Sequence, residues 1–332
     1  METLVINQRE VRALLPMMAC IDVMRCALAD LTRGEGLQPL RPVMWLPERV
    51  GALGMMPGYL GSIHTLGIKA VTVFPGNAGT QHDSHQGVVL LFDAGNGRLK
   101  AVIDATEITA IRTAAVSAVA TDLLATPSAS VMAILGSGVQ GAAHLEAIPH
   151  VRQIEEVRIW SRQTANSQRL AESNASTELK VRAVPDVAEA VAGADIVCTT
   201  TASSDPILLG DHLEPGMHIN AVGSSIPFAR ELDGAAMARS NLFVDRREST
   251  VNEAGDFLMA QAEGMVDEED IRAELGELII GAAEGRRGPD DITLFKSLGL
   301  AVEDVAAGDL VYRNAVASGV GVSLELGGAR LA

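Results

Sequence analysis

The chain has 332 residues, enough for two domains of the usual ~100–200 residues. Hydrophobic residues make up 48% and charged residues 20%, which excludes a disordered chain, while 3% aromatics with abundant Ala, Val, Gly and Leu suits helices lying close on a sheet. A formal net charge of −16 without a basic patch excludes a nucleic-acid binder, and the lack of ~18 uninterrupted apolar residues excludes a transmembrane helix.

In chain order, residues 8–15 read as a short helix. Pro16 ends it and starts a second helix running to Arg33, with Ile21, Met24, Leu28 and Leu31 on one apolar stripe. Residues 40–100 read as short strands and turns, among them 43–46, 67–73 and 87–92. Asp93-Ala94-Gly95-Asn96-Gly97 reads as a hairpin turn into a partner strand over 99–103. An Ala-rich helix fits 106–124. After Pro127 the pattern becomes strand–helix alternation, with strands expected at 131–135, 157–160, 179–184, 196–200, 218–222 and 242–244. That alternation indicates a parallel sheet covered by helices. The acidic stretch from Glu263 to Glu277 reads as a solvated helix with some i,i+4 support. A helix over 302–317 closes the chain and is expected to pack back onto the first domain. The domains are therefore expected to be discontinuous: 1–120 with 308–332 for substrate binding and dimerisation, and 121–307 for a Rossmann unit. The fold class is α/β, a Rossmann domain beside an α+β domain.

Cys20, Cys26 and Cys198 are odd in number, lack metal spacing and lie in apolar stretches, so they read as buried free thiols. No basic leader precedes an apolar run, and a cytoplasmic protein is expected. No His/Cys cluster points to a metal.

The glycine-rich turn Gly136-Ser137-Gly138-Val139-Gln140-Gly141 carries the first functional signal. It follows the buried-strand pattern Val131-Met132-Ala133-Ile134-Leu135 and precedes a helical stretch. In such a turn the first glycine allows the tight bend, the second admits a pyrophosphate, and the third lets helix and strand pack closely. An NAD enzyme places an acidic residue ~20 positions on to hold the ribose hydroxyls. Here that place holds Ser161, with Arg162 next. A carboxylate would repel a 2′-phosphate, whereas a hydroxyl and a guanidinium donate to it. NADPH is therefore expected over NADH.

Three cations stand in unusual company: Arg41 between Leu40 and Pro42, Lys69 within an apolar strand pattern, and Arg112 within an Ala-rich helix. A buried cation needs an anion, and a shared carboxylate ligand would serve all three. Alternatively, each simply points outward.

Several stretches together resemble the ornithine cyclodeaminase/mu-crystallin family. They are Gly67-Ile68-Lys69, residues 85–93, residues 109–115, the glycine turn, residues 215–223 and residues 295–304, in the family's order across nearly the whole chain. The resemblance implies a homodimer, and a substrate carboxylate bound by Arg41, Lys69 and Arg112. It also implies cofactor contacts from Thr113, Ser161, Arg162, Ser297 and Gly299. With Gly136, Gly138, Val139, Gln140 and Gly141 of the turn, and the strand ends Thr200, Val222 and Gly223, these form the candidate cofactor-binding set. Cyclodeaminases of the family carry an aspartate where this chain has Ser225 and a glutamate where it has Gly54. Serine is a poor base without an activating partner. The serine, and the 2′-phosphate reading at Ser161 and Arg162, both match the mu-crystallin-like branch, which the resemblance implies reduces cyclic ketimines with NADPH.

The expected reaction is thus reduction of a cyclic imine carboxylate such as Δ1-pyrroline-2-carboxylate or Δ1-piperideine-2-carboxylate. Lys69, Arg112 and Ser225 are the catalytic candidates, and His85 is a second candidate for handling a proton or contacting substrate. Ornithine cyclodeamination, an alanine-dehydrogenase-like reaction, or a crystallin-like ligand-binding role are the alternatives.

Overall fold

The computed structural model describes residues 2–77, 79–176 and 179–328. The chain divides into two compact units, Met1–Arg112 with Leu300–Ala332, and Thr113–Gly299. The sequence boundaries lay eight residues further along at each join, at 120/121 and 307/308. The first division falls inside the helix Ala105–Leu124, where no loop marks it, and the second in the short irregular segment between Thr293–Lys296 and the helix Ala301–Ser318. Met1 and residues 329–332 of the expected first domain lie outside the described residues.

The first unit is built on an eight-stranded mixed sheet. Its path runs Val322–Glu325, Glu2–Ile6, Leu99–Asp104, His85–Asp93, Thr65–Val73, Ala52–Leu60, Gly36–Leu37, with Val43–Trp45 also pairing Ala52–Leu60. Among the described residues, only Glu2–Ile6 and Leu99–Asp104 pair in parallel in this sheet. The middle of this sheet departs from the short strands expected. Three nine-residue strands, Ala52–Leu60, Thr65–Val73 and His85–Asp93, form a meander. Gly54, Pro57 and Gly58 interrupt the alternation in the first of them, which hid it from pattern reading.

One face of this sheet is buried through Met56, Leu60, Lys69, Val89, Leu91, Ala101 and Ile103. The helix Ala301–Ser318 lies on that face and packs against Met17–Thr32. The opposite face presents Leu53, Met55, Leu66, Ile68, Val88, Leu90 and Val102, half-buried or exposed. The helix Met17–Thr32 also corrects the cysteine reading. Its inward stripe takes Cys20, Ile21, Met24 and Leu28, which turns Cys26 outward, so Cys26 is exposed while Cys20 and Cys198 are buried.

The second unit is a parallel sheet in the order Lys180–Ala183, Glu156–Trp160, Val131–Leu135, Ile196–Thr199, His218–Ala221, Thr293–Lys296, Asn241–Val244, Ile271–Glu274. Ile196–Thr199, His218–Ala221 and Thr293–Lys296 are buried throughout, as strands covered on both faces must be. The chain winds outward from Val131–Leu135 in one direction, then reverses to Ile196–Thr199 on its other side. A crevice at such a switch point, beyond the carboxyl ends of the strands, takes nucleotides in this architecture.

The acidic stretch is not one helix. Gly264 has φ +72 and ends the helix Gly255–Ala262. A 3-10 turn at Glu268–Asp270, the strand Ile271–Glu274 and the helix Leu275–Ile279 follow. Ile271 and Ala273 point inward and Arg272 outward, a strand's alternation that the acidic composition masked. Among the described residues no helix is long and apolar enough to cross a membrane, and no group of three His, Cys, Asp or Glu could hold a metal.

Candidate active site

Two sets of side chains matter, one in each unit. In the first unit, Lys69 points from Thr65–Val73 onto the helix-covered face, where it is 3% exposed. Arg112, on Ala105–Leu124, is 4% exposed. Both reach carboxylates in the first turn of Ala301–Ser318. Lys69 Nζ lies 2.8 Å from Asp304 Oδ2. Arg112 Nε lies 2.9 Å from Asp304 Oδ1, and Nη1 lies 2.8 Å from Glu303 Oε2. Glu303 Oε2 also accepts the N–H of Leu300 at 3.1 Å. Asp304 thus bridges the two cations.

The sequence reading singled out the cations but gave no role to Glu303 and Asp304. Acidic residues in a first helical turn are ordinary there, since they favour the helix dipole. Nothing in the spacing separates this pair from that routine use.

Burial pulls the Lys69 pKa from 10.5 down to about 8, with the neighbouring charges of Arg112 and Arg41 adding to the drop and Asp304 opposing it. Arg41, half-buried outside any strand, is therefore within electrostatic reach of Lys69. His85 is exposed at the start of its strand, and its Nδ1 shares a hydrogen bond of 3.1 Å with Ser84 Oγ. Desolvation by surrounding protein and then the Lys69 charge lower its pKa, so the ring is neutral at pH 7. Nε of Arg112 is committed to Asp304 and one Nη1 N–H to Glu303, so a forked contact to a ligand has to use Nη N–H groups other than that one.

In the second unit, the glycine turn joins Val131–Leu135 to the helix Val139–Ala147. Gly136 has φ +124, and a Cβ on it would lie 2.7 Å from the carbonyl and hydroxyl oxygens of Thr200. A Cβ on Gly141 would collide with the Gly136 carbonyl. Gly138 is the N-cap, with no side-chain cap bond, and a Cβ there meets nothing within 4 Å. The helix start thus carries no capping side chain, and Gly138 leaves room for a group to approach it, the arrangement a pyrophosphate needs. Val139 is 64% exposed beside them and Gln140 half-buried.

Ser161 and Arg162 follow Glu156–Trp160 at the edge of the same crevice, half-buried and exposed respectively. Thr200, Val222 and Gly223 follow the strands Ile196–Thr199 and His218–Ala221, and Ser297 and Gly299 follow Thr293–Lys296. Thr113 is buried at the start of the unit. Ser225 is half-buried in the bend after Gly223. The cofactor candidates of this unit other than Thr113 therefore gather at the turn and at the carboxyl ends of parallel strands. They fit a dinucleotide through the open helix start and the glycine cradle.

The family model for the ornithine cyclodeaminase/mu-crystallin family matches residues 1–319. The chain belongs to that family. It is 44% identical to the ketimine reductase mu-crystallin of Mus musculus over 88% of this chain and 90% of that one. A Thermococcus litoralis Δ1-pyrroline-2-carboxylate reductase, solved in complex with NADH and L-proline, superposes with a TM-score of 0.94 at 34% identity, covering 97% of this chain and all of that one. An archaeal alanine dehydrogenase dimer with bound NAD superposes at 0.93 and 31% identity, over 98% of this chain and all of the other. The Rossmann architecture beside a second α/β unit is that of these family members.

Proposed function

We propose that the chain is a cytoplasmic, NADPH-dependent reductase of cyclic ketimine carboxylates, converting Δ1-pyrroline-2-carboxylate or Δ1-piperideine-2-carboxylate to the cyclic amino acid. The carrying observation is the buried pair Lys69 and Arg112, held on Asp304 and Glu303, in a chain whose relatives reduce C=N bonds. Holding two cations rigidly beforehand lowers the cost of ordering them around an anion.

A reduced nicotinamide, when bound, supplies hydride to a carbon next to a carboxylate. The chain's residues do the rest. Arg112, through its Nη end, and Lys69 bind the substrate carboxylate, with Arg41 as the third cation. Lys69, with its pKa near 8, is mostly protonated at neutral pH and able to give a proton to the ring nitrogen. One hydride and one proton added across C=N yield the amine. His85, neutral at pH 7, is a poor donor. Ser225 contacts the ring nitrogen. Nothing at Ser225 or Gly54 provides the carboxylate that amine loss from ornithine needs.

NADPH is favoured over NADH by the hydroxyl and guanidinium of Ser161 and Arg162 where a ribose-binding carboxylate would stand. Two solved relatives were captured with NADH or NAD, so the preference rests on Ser161 and Arg162 alone. The uncovered apolar sheet face of the first unit supports a homodimer. The free thiols fit a reducing compartment.

The deciding assay is a panel of the two cyclic imines, pyruvate plus ammonia, and ornithine, each with both cofactors. NADPH oxidation on a cyclic imine is expected. Turnover confined to keto acid plus ammonia would make the chain an amino-acid dehydrogenase, ammonia release from ornithine a cyclodeaminase, and ligand binding without turnover a binding protein.

A further inference from the structure

At the carboxyl ends of strands in the second half of the parallel sheet lies a polar cluster that the reaction above does not use. Glu231, Asp256 and Lys296 are all fully buried. Lys296 Nζ lies 2.8 Å from Asp256 Oδ2 and donates to the carbonyls of Ser224 at 2.6 Å and Ala221 at 3.3 Å. Asp256 Oδ1 accepts the backbone N–H groups of Glu231 at 2.7 Å and Leu232 at 3.0 Å. The Glu231 carboxylate then takes four donors. Oε1 accepts the N–H and hydroxyl of Thr201 at 2.5 and 2.7 Å, and Oε2 accepts the Thr199 hydroxyl and the Gly223 N–H, both at 2.7 Å. Gly223 permits this approach, since a Cβ there would lie 2.5 Å from Glu231 Oε1 and against the Thr201 carbonyl.

Three buried ionisable groups are a poor way to stabilise a fold, because apolar residues of similar volume often do as well. Their value lies in what they fix. The backbones they hold are Thr201, Ala221, Gly223 and Ser224, and Lys296 itself leads directly into Ser297. Asp245 completes the set, accepting the N–H groups of Leu298 at 2.6 Å and Gly299 at 2.8 Å. All of these segments lie at carboxyl ends of strands beyond the switch point. The half with Glu156–Trp160 and Lys180–Ala183 takes the adenosine end of a dinucleotide, which leaves this half for the nicotinamide end.

We infer that Glu231, backed by Asp256 and Lys296, is the positioning residue for the nicotinamide half of the cofactor: its carboxylate ties the Thr199–Thr201 and Gly223 segments into one fixed wall. The inference rests on the nucleotide-binding part of the proposed function and not on the imine substrate.

Equilibrium binding without substrate tests it, comparing each dinucleotide with its own adenosine half: NADPH with 2′,5′-ADP, NADH with ADP. In Glu231→Gln an amide N–H₂ faces N–H or O–H donors. Dinucleotide affinity is expected to fall about tenfold or more, with affinity for the adenosine half unchanged. Equal weakening of both, or of neither, overturns the assignment. Should Glu231→Gln lose its circular dichroism, Thr199→Val removes a single donor at constant shape. It is expected to weaken only the dinucleotide, about threefold, and parity between the two ligands again overturns the inference. A wild-type chain that binds NADPH but reduces no imine would remove the proposed reaction and leave this assignment standing. A wild-type chain that binds no dinucleotide would remove the assignment.

Discussion

Asp304 is the hinge of the site at the scale of single residues, because one carboxylate serves two cations from different elements. Removing one partner of a buried ion pair costs about 3–5 kcal/mol, since the other charge stays buried. Asp304→Asn is expected to lower stability by that order in urea unfolding. It should also move the Lys69 pKa further down, because the one charge opposing the burial effect is gone. The sign fixes a pH profile. Lys69 is cationic below about pH 8 and loses its charge as pH rises through that value. Wild-type kcat/KM for a cyclic imine should therefore decline above pH 8, through KM as the carboxylate contact is lost and through kcat as the proton donor is lost. In Asp304→Asn the decline should begin at lower pH, and in Lys69→Arg, which stays charged but does not give up a proton, it should vanish at a lowered kcat. An unmoved alkaline limb in both variants would assign it to another group. The sequence exposed Lys69 and Arg112 because a charge inside an apolar pattern is anomalous. It concealed Asp304 and Glu303 because acids at a helix start are commonplace.

Elements were legible where their pattern had a single explanation. Val131–Leu135 is an uninterrupted apolar run stopped by Gly136, and its bounds came out as expected. Ala52–Leu60, with Pro57 and two glycines inside it, and Thr293–Lys296, with a buried lysine, carry residues that belong to strands only because of what packs against them. The loop after Glu156–Trp160 is the element that should decide between cofactors. Ser161 and exposed Arg162 lie just before the helix Thr164–Asn174, whose first turn holds no acidic residue. Arg162→Ala is expected to raise the KM for NADPH about tenfold, the worth of one charge-assisted contact to phosphate, and to leave that for NADH unchanged. Ser161→Asp should reverse the preference by repelling the 2′-phosphate. A chain that uses both cofactors equally, and is indifferent to Arg162→Ala, has no phosphate site there.

The whole molecule poses a problem that neither site addresses. Among the described residues, no helix of the first unit covers one apolar sheet face, with Leu66 43% and Val88 36% exposed among half-buried Met55, Ile68, Leu90 and Val102. A contiguous face of this kind marks an association surface on a soluble chain. Against that stands a formal charge of −16 on each copy, so two copies repel at long range. Salt screens that repulsion beyond ~8–10 Å but leaves the apolar contact in place. The balance predicts a dimer that tightens as ionic strength rises, the reverse of an association held by opposite charges. Sedimentation equilibrium at two salt concentrations measures it. Leu66 and Val88 stand on neighbouring strands, and their outward positions tolerate charge in a monomer. Leu66→Lys with Val88→Lys is therefore expected to give the monomer mass at an unchanged melting temperature. A wild-type chain that sediments as a monomer at both salt concentrations would leave that face without a second copy to cover it.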